Sequence, residues 1–373
     1  MNRLIIIGNG FDLSCDLKTG YHHFFKVYLQ KCILENKVSN LFQWTSSISH
    51  TNHFNVSEIS TKEILDLYTK HKIYVNATND GLFASDLLQA IKIENWVDIE
   101  KIYFNCILKQ LLRLQNGAKL NFETRDDVEE QVYEINKEFK ILTDAFIEYL
   151  NKEVLNNDLE IKNKFDENVR KILFCDNYYS FQHGDGYFHK NNTLILNFNY
   201  TNTLKEIKGN QLNTEIINLH GDLSNIENNP VIFGYGDYNH EKYNELERAN
   251  IQELLKNIKS NNYLLTDNYK KLIHFLETGI VQTEKGQSVT MLKNEFEVLV
   301  YGHSCGLSDS NILKTIFNHE NCKKIHVAYF NDKDDYFKKT IEIGRHFDSK
   351  EMFLNKLQTF NEKLKIPQNC YVN

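Results

Sequence analysis

Proline is nearly missing from this chain: Pro230 and Pro367 are the only two in 373 residues. Element boundaries therefore have to be read from hydrophobic spacing and turn residues. Paired cysteines are missing too. Cys15, Cys32, Cys106, Cys175, Cys305, Cys322 and Cys370 are odd in number and widely spaced, which points to reduced thiols in a cytosolic protein. No stretch approaches the roughly 20 apolar residues that a membrane-spanning helix needs. The apolar run near the amino terminus is too short for the apolar segment of a signal peptide, so no membrane is expected as a partner. Positive charge is not in excess: 43 basic residues stand against 50 acidic ones, a formal charge of −7. That balance argues against a broad polyanion-binding surface and makes nucleic acid a poor candidate partner. There is no HExxH and no cysteine–histidine cluster, and the adjacent His22 and His23 would point apart on a helix, so no metal is expected.

The chain is long enough to bury a large core without staples. Five short apolar runs read as buried parallel strands: Leu4 to Ile7, Thr193 to Phe198, Glu215 to Leu219, Glu297 to Tyr301 and Lys324 to Phe330. Val231 to Phe233 is a weaker sixth. More than 180 residues between the first two runs read as helix. Val128, Val132, Ile135, Phe139, Leu142, Phe146 and Tyr149 recur at steps of three and four, one face of a helix. Asn95 to Leu114 is a second, more apolar helix, and Ser60 with Glu63 has capping-box spacing for a third. Another helical block runs from about Glu241 to Glu277, broken at residues 260–262. Recurring strands with helices between them predict a doubly wound, mostly parallel, Rossmann-like α/β sheet with large helical insertions. The expected division is a core of residues 1–30 and 172–373, a helical insertion at 31–171, and a smaller one at 241–280.

In such folds ligands gather at the carboxyl ends of the strands. After the first strand comes Gly8-Asn9-Gly10-Phe11-Asp12-Leu13. Leu13 stands where a dehydrogenase fingerprint wants its third glycine, and the segment after Tyr21 reads as helix, so hydride transfer is disfavoured. The turn could still offer backbone N–H groups to an anion and Asp12 to a ribose hydroxyl, or be no more than a tight turn. After the second strand comes Asn197-Phe198-Asn199-Tyr200-Thr201, with a carboxamide placed to hold a sugar hydroxyl or a water. After the third comes His220-Gly221-Asp222, where His220 has the right type for a general base or for a turn cap. His183-Gly184-Asp185 repeats the tripeptide in a poorer strand context, which favours His220. After the fourth comes Gly302-His303-Ser304-Cys305-Gly306-Leu307-Ser308-Asp309. This Gly-x-Ser turn could hold a phosphate, with Ser308 or Asp309 capping the helix that follows. The same residues also read as GxSxG, which with His319, His326 or His346 downstream would make a serine hydrolase built on Ser304.

As an ordered set, GNGFDLS, LNFNYTNTL, INLHGDL, VIFGYGD and YGHSCGLSDSNI resemble the AbiH family of bacteriophage abortive-infection proteins, from Leu4 to about Phe330. The order is also similar to the sirtuin-like NAD-binding fold of phage-defence NAD hydrolases. Gly8 and Gly10 match its first turn, Asn199 and Tyr200 its second segment, His220 and Gly221 its third, and Gly302, Ser304 and Asp309 its last. Asn9 stands where that pattern usually has alanine and Thr201 where it has aspartate, and the zinc-binding cysteines of deacylating sirtuins are missing. The resemblance implies a cytoplasmic defence effector that binds NAD and hydrolyses its nicotinamide–ribose bond. Asn199 and His220 would be catalytic. Gly8, Asn9, Gly10, Phe11, Asp12, Tyr200, Gly221, Gly302, Ser304 and Asp309 would bind the nucleotide. The alternative is a non-catalytic nucleotide sensor whose helical insertion, through its Val128 to Tyr149 stripe, docks a phage-derived trigger protein or a second copy of the chain.

Overall fold

In the computed structural model of the chain, the described residues are 1–34, 41–46, 66, 73–77, 82–93, 98–120, 124–154, 169, 173, 192–204, 214–236, 238, 240–278 and 295–367. They divide into two compact units, Met1–Leu17 with Leu155–Ile232 and Asn262–Asn373, and Lys18–Val154 with Phe233–Asn261. The readings at Ser60 to Glu63 and at His183 lie outside the described residues.

The first unit is built on a parallel sheet. Its strands are β1 (Asn2–Ile7), β4 (Thr193–Asn197), β5 (Thr214–Asn218), β6 (Phe296–Tyr301) and β7 (Cys322–Val327), in the order β5-β4-β1-β6-β7. The five expected strands are all present, each end within three residues of its expected place, and the Rossmann-like α/β class holds. Both alternating sets of side chains are buried, Leu4 and Ile6 as fully as Ile5 and Ile7, which is why the runs read as continuous apolar stretches. One face packs on Ile312, Leu313, Ile316 and Phe317 of the helix Ser310–Asn318. Val231 to Phe233 is not a strand. Pro230 has no N–H to give a ladder, and this segment's bond to the end of β5 is a single Ile232 N–H to the His220 carbonyl, at 2.9 Å.

The sheet order has a direct consequence. From β1 the chain steps outward through β4 to β5, then returns to the far side of β1 for β6 and β7. The reversal falls between β1 and β6, and the carboxyl ends of the strands on either side of such a point are where doubly wound sheets take their ligands.

The second unit carries the helices Tyr21–Leu34, Leu82–Ile93, Ile99–Leu120 and Arg125–Tyr149. Thr124 closes a reciprocal capping box with Asp127 at the start of the last of these. The stretch read as wholly helical also contains a two-stranded antiparallel ribbon, β2 (Phe42–Ser46) on β3 (Ile73–Ala77). Both strands are short and rich in aromatic or β-branched residues, so they offered no helical period to detect. The Val128 to Tyr149 stripe is buried, with no member above 7 % exposed. That face is spent on the core of its own unit and is not a docking surface. Asp98 caps its helix through the Lys101 N–H at 3.0 Å. Glu100 instead accepts from the Gly234 N–H at 3.1 Å and from the buried Lys259 ammonium at 3.2 Å. His22 and His23 do not point apart: their rings lie 3.8 Å centre to centre. No described helix is long and apolar enough to cross a membrane.

Candidate functional site

The turns after β1 and β6 interlock. The Gly10 N–H donates to the Gly302 carbonyl at 2.8 Å, the Phe11 N–H to the Gly8 carbonyl at 2.8 Å, and the Gly8 N–H to the Tyr301 carbonyl at 3.4 Å. A Cβ on Gly8 would meet His303 at 2.7 Å, and one on Gly10 would meet the Gly302 carbonyl oxygen at the same distance. The glycines are thus explained by the close approach of two turns. The N–H groups of Gly8, Gly10 and Phe11 are already taken by the chain's own carbonyls, and Asn9 is exposed.

Asp12 lies at 1 % exposure, and its Oδ2 accepts the Thr201 hydroxyl at 2.7 Å. Thr201 occupies the place where the sirtuin-like pattern has an aspartate. A second carboxylate there would face Asp12 at hydrogen-bond distance, whereas a hydroxyl donates to it. Asn199 sends its side-chain N–H to the Gly8 carbonyl at 3.1 Å, which ties the end of β4 to the β1 turn. A row of amides continues across the sheet. Asn197 donates to Asn218 at 3.0 Å, and Asn218 to Asp222 at 3.0 Å. Asp222 folds its own turn through Ser224, and Gly221 sits at φ +100° against the Pro230 carbonyl. Gly221 and Asp222 therefore build the turn that carries His220. Tyr200 is half-buried, its ring 6.4 Å from that of His220.

His220 is 4 % exposed. Its Nε2 lies 3.2 Å from the Tyr263 hydroxyl and 3.3 Å from Asp309 Oδ1. The other carboxylate oxygen of Asp309 lies 3.5 Å from His303 Nε2. Phe198 packs between the two histidines, its ring 4.9 Å from that of His220 and 4.3 Å from that of His303. Asp309 stands at the N-cap position of the helix Ser310–Asn318 yet makes no side-chain cap bond. The expectation that it would cap that helix is corrected: its carboxylate turns to the histidines. Ser308 reaches Asp309 at 3.3 Å without capping the helix either.

Ser304 is exposed, and among the described residues its hydroxyl has no hydrogen-bond partner. In a nucleophile elbow the serine itself carries the strained backbone. Here the positive φ falls on Cys305, at 55°, whose buried thiol is pushed up to about 12 by desolvation. His346 Nε2 is engaged by the Cys305 carbonyl at 2.8 Å, His326 faces Glu297 at 3.6 Å, and His319 accepts the Asn321 N–H at 3.2 Å. The geometry gives a serine hydrolase on Ser304 no support. Among the described residues no group of three or more His, Cys, Asp or Glu is arranged to hold a metal ion.

The structure thus brings together Asp12, Asn199, His220 and Asp309 from the ends of four segments, with Tyr200 at the edge. Three further participants were not singled out from the sequence. His303 was read only as the middle of a Gly-x-Ser turn, although a histidine leaving a buried strand is itself a signal. Tyr263 comes from a distant helical segment, with no local pattern to reveal it. Thr201 was noted only as a departure from the pattern.

The parallel sheet and its reversal of strand order at β1 define a Rossmann-like α/β protein with polar side chains gathered at the strand ends. The family description "Bacteriophage abortive infection AbiH" matches residues 4–331, and the chain belongs to that family. No curated protein matches it. Membership gives the chain a role in abortive infection by bacteriophage.

Proposed function

We propose that this abortive-infection protein is an effector that hydrolyses the nicotinamide–ribose bond of NAD+, or of a closely related nucleotide, when infection triggers it. The observation that carries the reading is His220, held at the end of β5 between a carboxylate and a phenol and close to the strand end that bears Asn199. Cleavage breaks the bond between C1′ of the ribose and the pyridinium nitrogen. Nicotinamide leaves neutral, water adds at C1′, and one proton is released with ADP-ribose. His220 takes that proton from a ribose hydroxyl or the attacking water, and the Asp309 carboxylate offsets the imidazolium charge that forms. Asn199 orients the ribose or the water, and Asp12 with Thr201 faces a ribose hydroxyl. Because the N–H groups of Gly8, Gly10 and Phe11 are occupied, the diphosphate is left to the exposed Asn9 and Ser304. Burial of Asp12, Asn199 and His220, at 1 %, 6 % and 4 % exposure, suits an effector that stays silent until triggered.

A non-catalytic nucleotide sensor is the second reading, favoured by the burial of Asn199 and His220, which leaves neither side chain open to a substrate. The two separate on nicotinamide release from NAD+ by purified protein, alone and with infected-cell extract, for wild type, Asn199→Ala and His220→Ala. The enzyme reading expects release by wild type and a loss of at least 100-fold in each variant, on the order of one general-base contribution. No release from wild type under either condition would sink it. Release surviving both substitutions would move the chemistry to other residues, with His183→Ala the next variant to assay.

A further inference from the structure

His303 sits between two fixed partners. Its Nδ1 accepts the Cys305 N–H at 3.0 Å, and its Nε2 faces Asp309 Oδ2 at 3.5 Å. A ring nitrogen that accepts from a backbone amide carries no proton, so the neutral ring's single N–H is on Nε2, the nitrogen that stands 3.5 Å from Asp309 Oδ2. The Cys305 amide is itself held, since the Cys305 carbonyl is engaged by His346, a residue with no exposed surface. Lys339 adds an ammonium on the His303 carbonyl at 3.4 Å.

Asp309 has a competing option. An aspartate at an N-cap ordinarily turns its carboxylate onto the first free N–H groups of its helix, and here it does not. A histidine stands at each of its oxygens, His220 at Oδ1 and His303 at Oδ2, where the Ser308 hydroxyl also donates at 3.3 Å. We infer that His303 is a positioning residue that keeps the Asp309 carboxylate on His220 and off the helix terminus. The inference rests on the reading of His220 as the base. In it the order of contacts is Cys305 amide, His303, Asp309, His220. Groups facing His220 include Asp309 from the β6 turn, Tyr263 from the turn before the helix Asn268–Thr278, and Tyr200 after β4, while Phe198 lies between the His220 and His303 rings.

The test separates the two nitrogens of His303. In His303→Asn a carboxamide oxygen stands near the place of Nδ1 and keeps the Cys305 bond, but the side chain at 303 no longer reaches Asp309. In His303→Gln an amide N–H stands near the place of Nε2 and still donates to Asp309. The full-length protein, labelled at histidine Cε1, is titrated by NMR, with the His220 signal identified by its loss in His220→Gln. Thermal unfolding confirms that each variant is folded. His303→Asn is expected to lower the His220 midpoint by about one pH unit, tenfold in proton affinity. The control Asp309→Asn should do the same, and His303→Gln should leave the midpoint within about 0.3 of wild type. An unchanged midpoint in His303→Asn overturns the inference, and so does an equal fall in both His303 variants, which would mark a general loosening. Nicotinamide release is followed in the same samples. Wild type that titrates as stated but releases none would overturn the NAD reading alone.

Discussion

Gly302 and Gly306 lie four residues apart in one loop, and the structure assigns them opposite sensitivities to a methyl group. At Gly302 the backbone stands at φ +69°, a left-handed conformation that costs an alanine about 1–2 kcal/mol. The added Cβ would also lie 2.4 Å from the Phe11 nitrogen and 2.8 Å from the Gly10 carbonyl carbon. Both are backbone atoms of the β1 turn, pinned by the Gly10 to Gly302 hydrogen bond, so relief requires the two turns to part. Overpacking of that kind adds about 1–3 kcal/mol, and the expected loss for Gly302→Ala is about 2–5 kcal/mol. At Gly306 the backbone is ordinary, φ −67°, and the nearest atoms to a Cβ are the Ser304 and Ser308 hydroxyl oxygens at 3.6 and 3.9 Å. Gly306→Ala should therefore be neutral or stabilising by about 0.4–1 kcal/mol, through restriction of the unfolded chain. Urea unfolding followed by circular dichroism measures both, and with roughly 2–4 °C per kcal/mol the melting temperatures should separate by about 4–24 °C. A Gly302→Ala protein within about 1 kcal/mol of wild type would refute the interlocked turns. So would a Gly306→Ala protein as unstable as Gly302→Ala.

Two other predictions follow from buried polar groups. Thr201→Val removes the hydroxyl that donates to Asp12 at 2.7 Å and should lose about 1–3 kcal/mol, the cost of stranding a buried acceptor, whereas Thr201→Ser should stay within about 1 kcal/mol; thermal melts that fail to separate the two would show that the contact carries no weight. His23 is held neutral: burial first, then the nearby His22, Lys26 and Lys18, lower its pKa from 6.5 to about 4. The unfolded chain therefore takes up a proton at higher pH than the folded one, so stability present above pH 6.5 is lost between pH 6.5 and about 4. The full shift would be worth about 3 kcal/mol, and solvent around this half-buried ring reduces it to about 1–2 kcal/mol. His23→Gln should flatten that part of the urea-midpoint profile, and parallel profiles for variant and wild type would dismiss the assignment.

Much of the fold was legible because parallel strands buried on both faces leave near-continuous apolar runs, and the stripe from Val128 to Tyr149 could be read at helical period for the same physical reason. The ribbon of β2 and β3 was not legible, since two five-residue strands set within long helical sequence give no sustained periodicity. At the site, residues immediately after a strand were readable by rule, which is how Asp12, Asn199 and His220 were found. Their partners were not. Tyr263 arrives from a segment whose only local signal is a break in a helical pattern. Asp309 looked like a helix cap because residue type and position both say so, and only the three-dimensional placement of His303 and His220 shows what draws its carboxylate away.

The central position of β1 also bears on the life of the protein on the ribosome. Asn199 meets the Gly8 carbonyl across 191 residues of sequence, and β6 begins nearly 300 residues after the amino terminus. At about 5–20 residues per second, β1 waits roughly 10–40 s for its first neighbour and longer for its second. A translating or truncated chain that has not yet made β6 lacks His303 and Asp309 altogether. The order of synthesis is itself a safeguard: the strand ends come together only after β6 and the turn that follows it have been made.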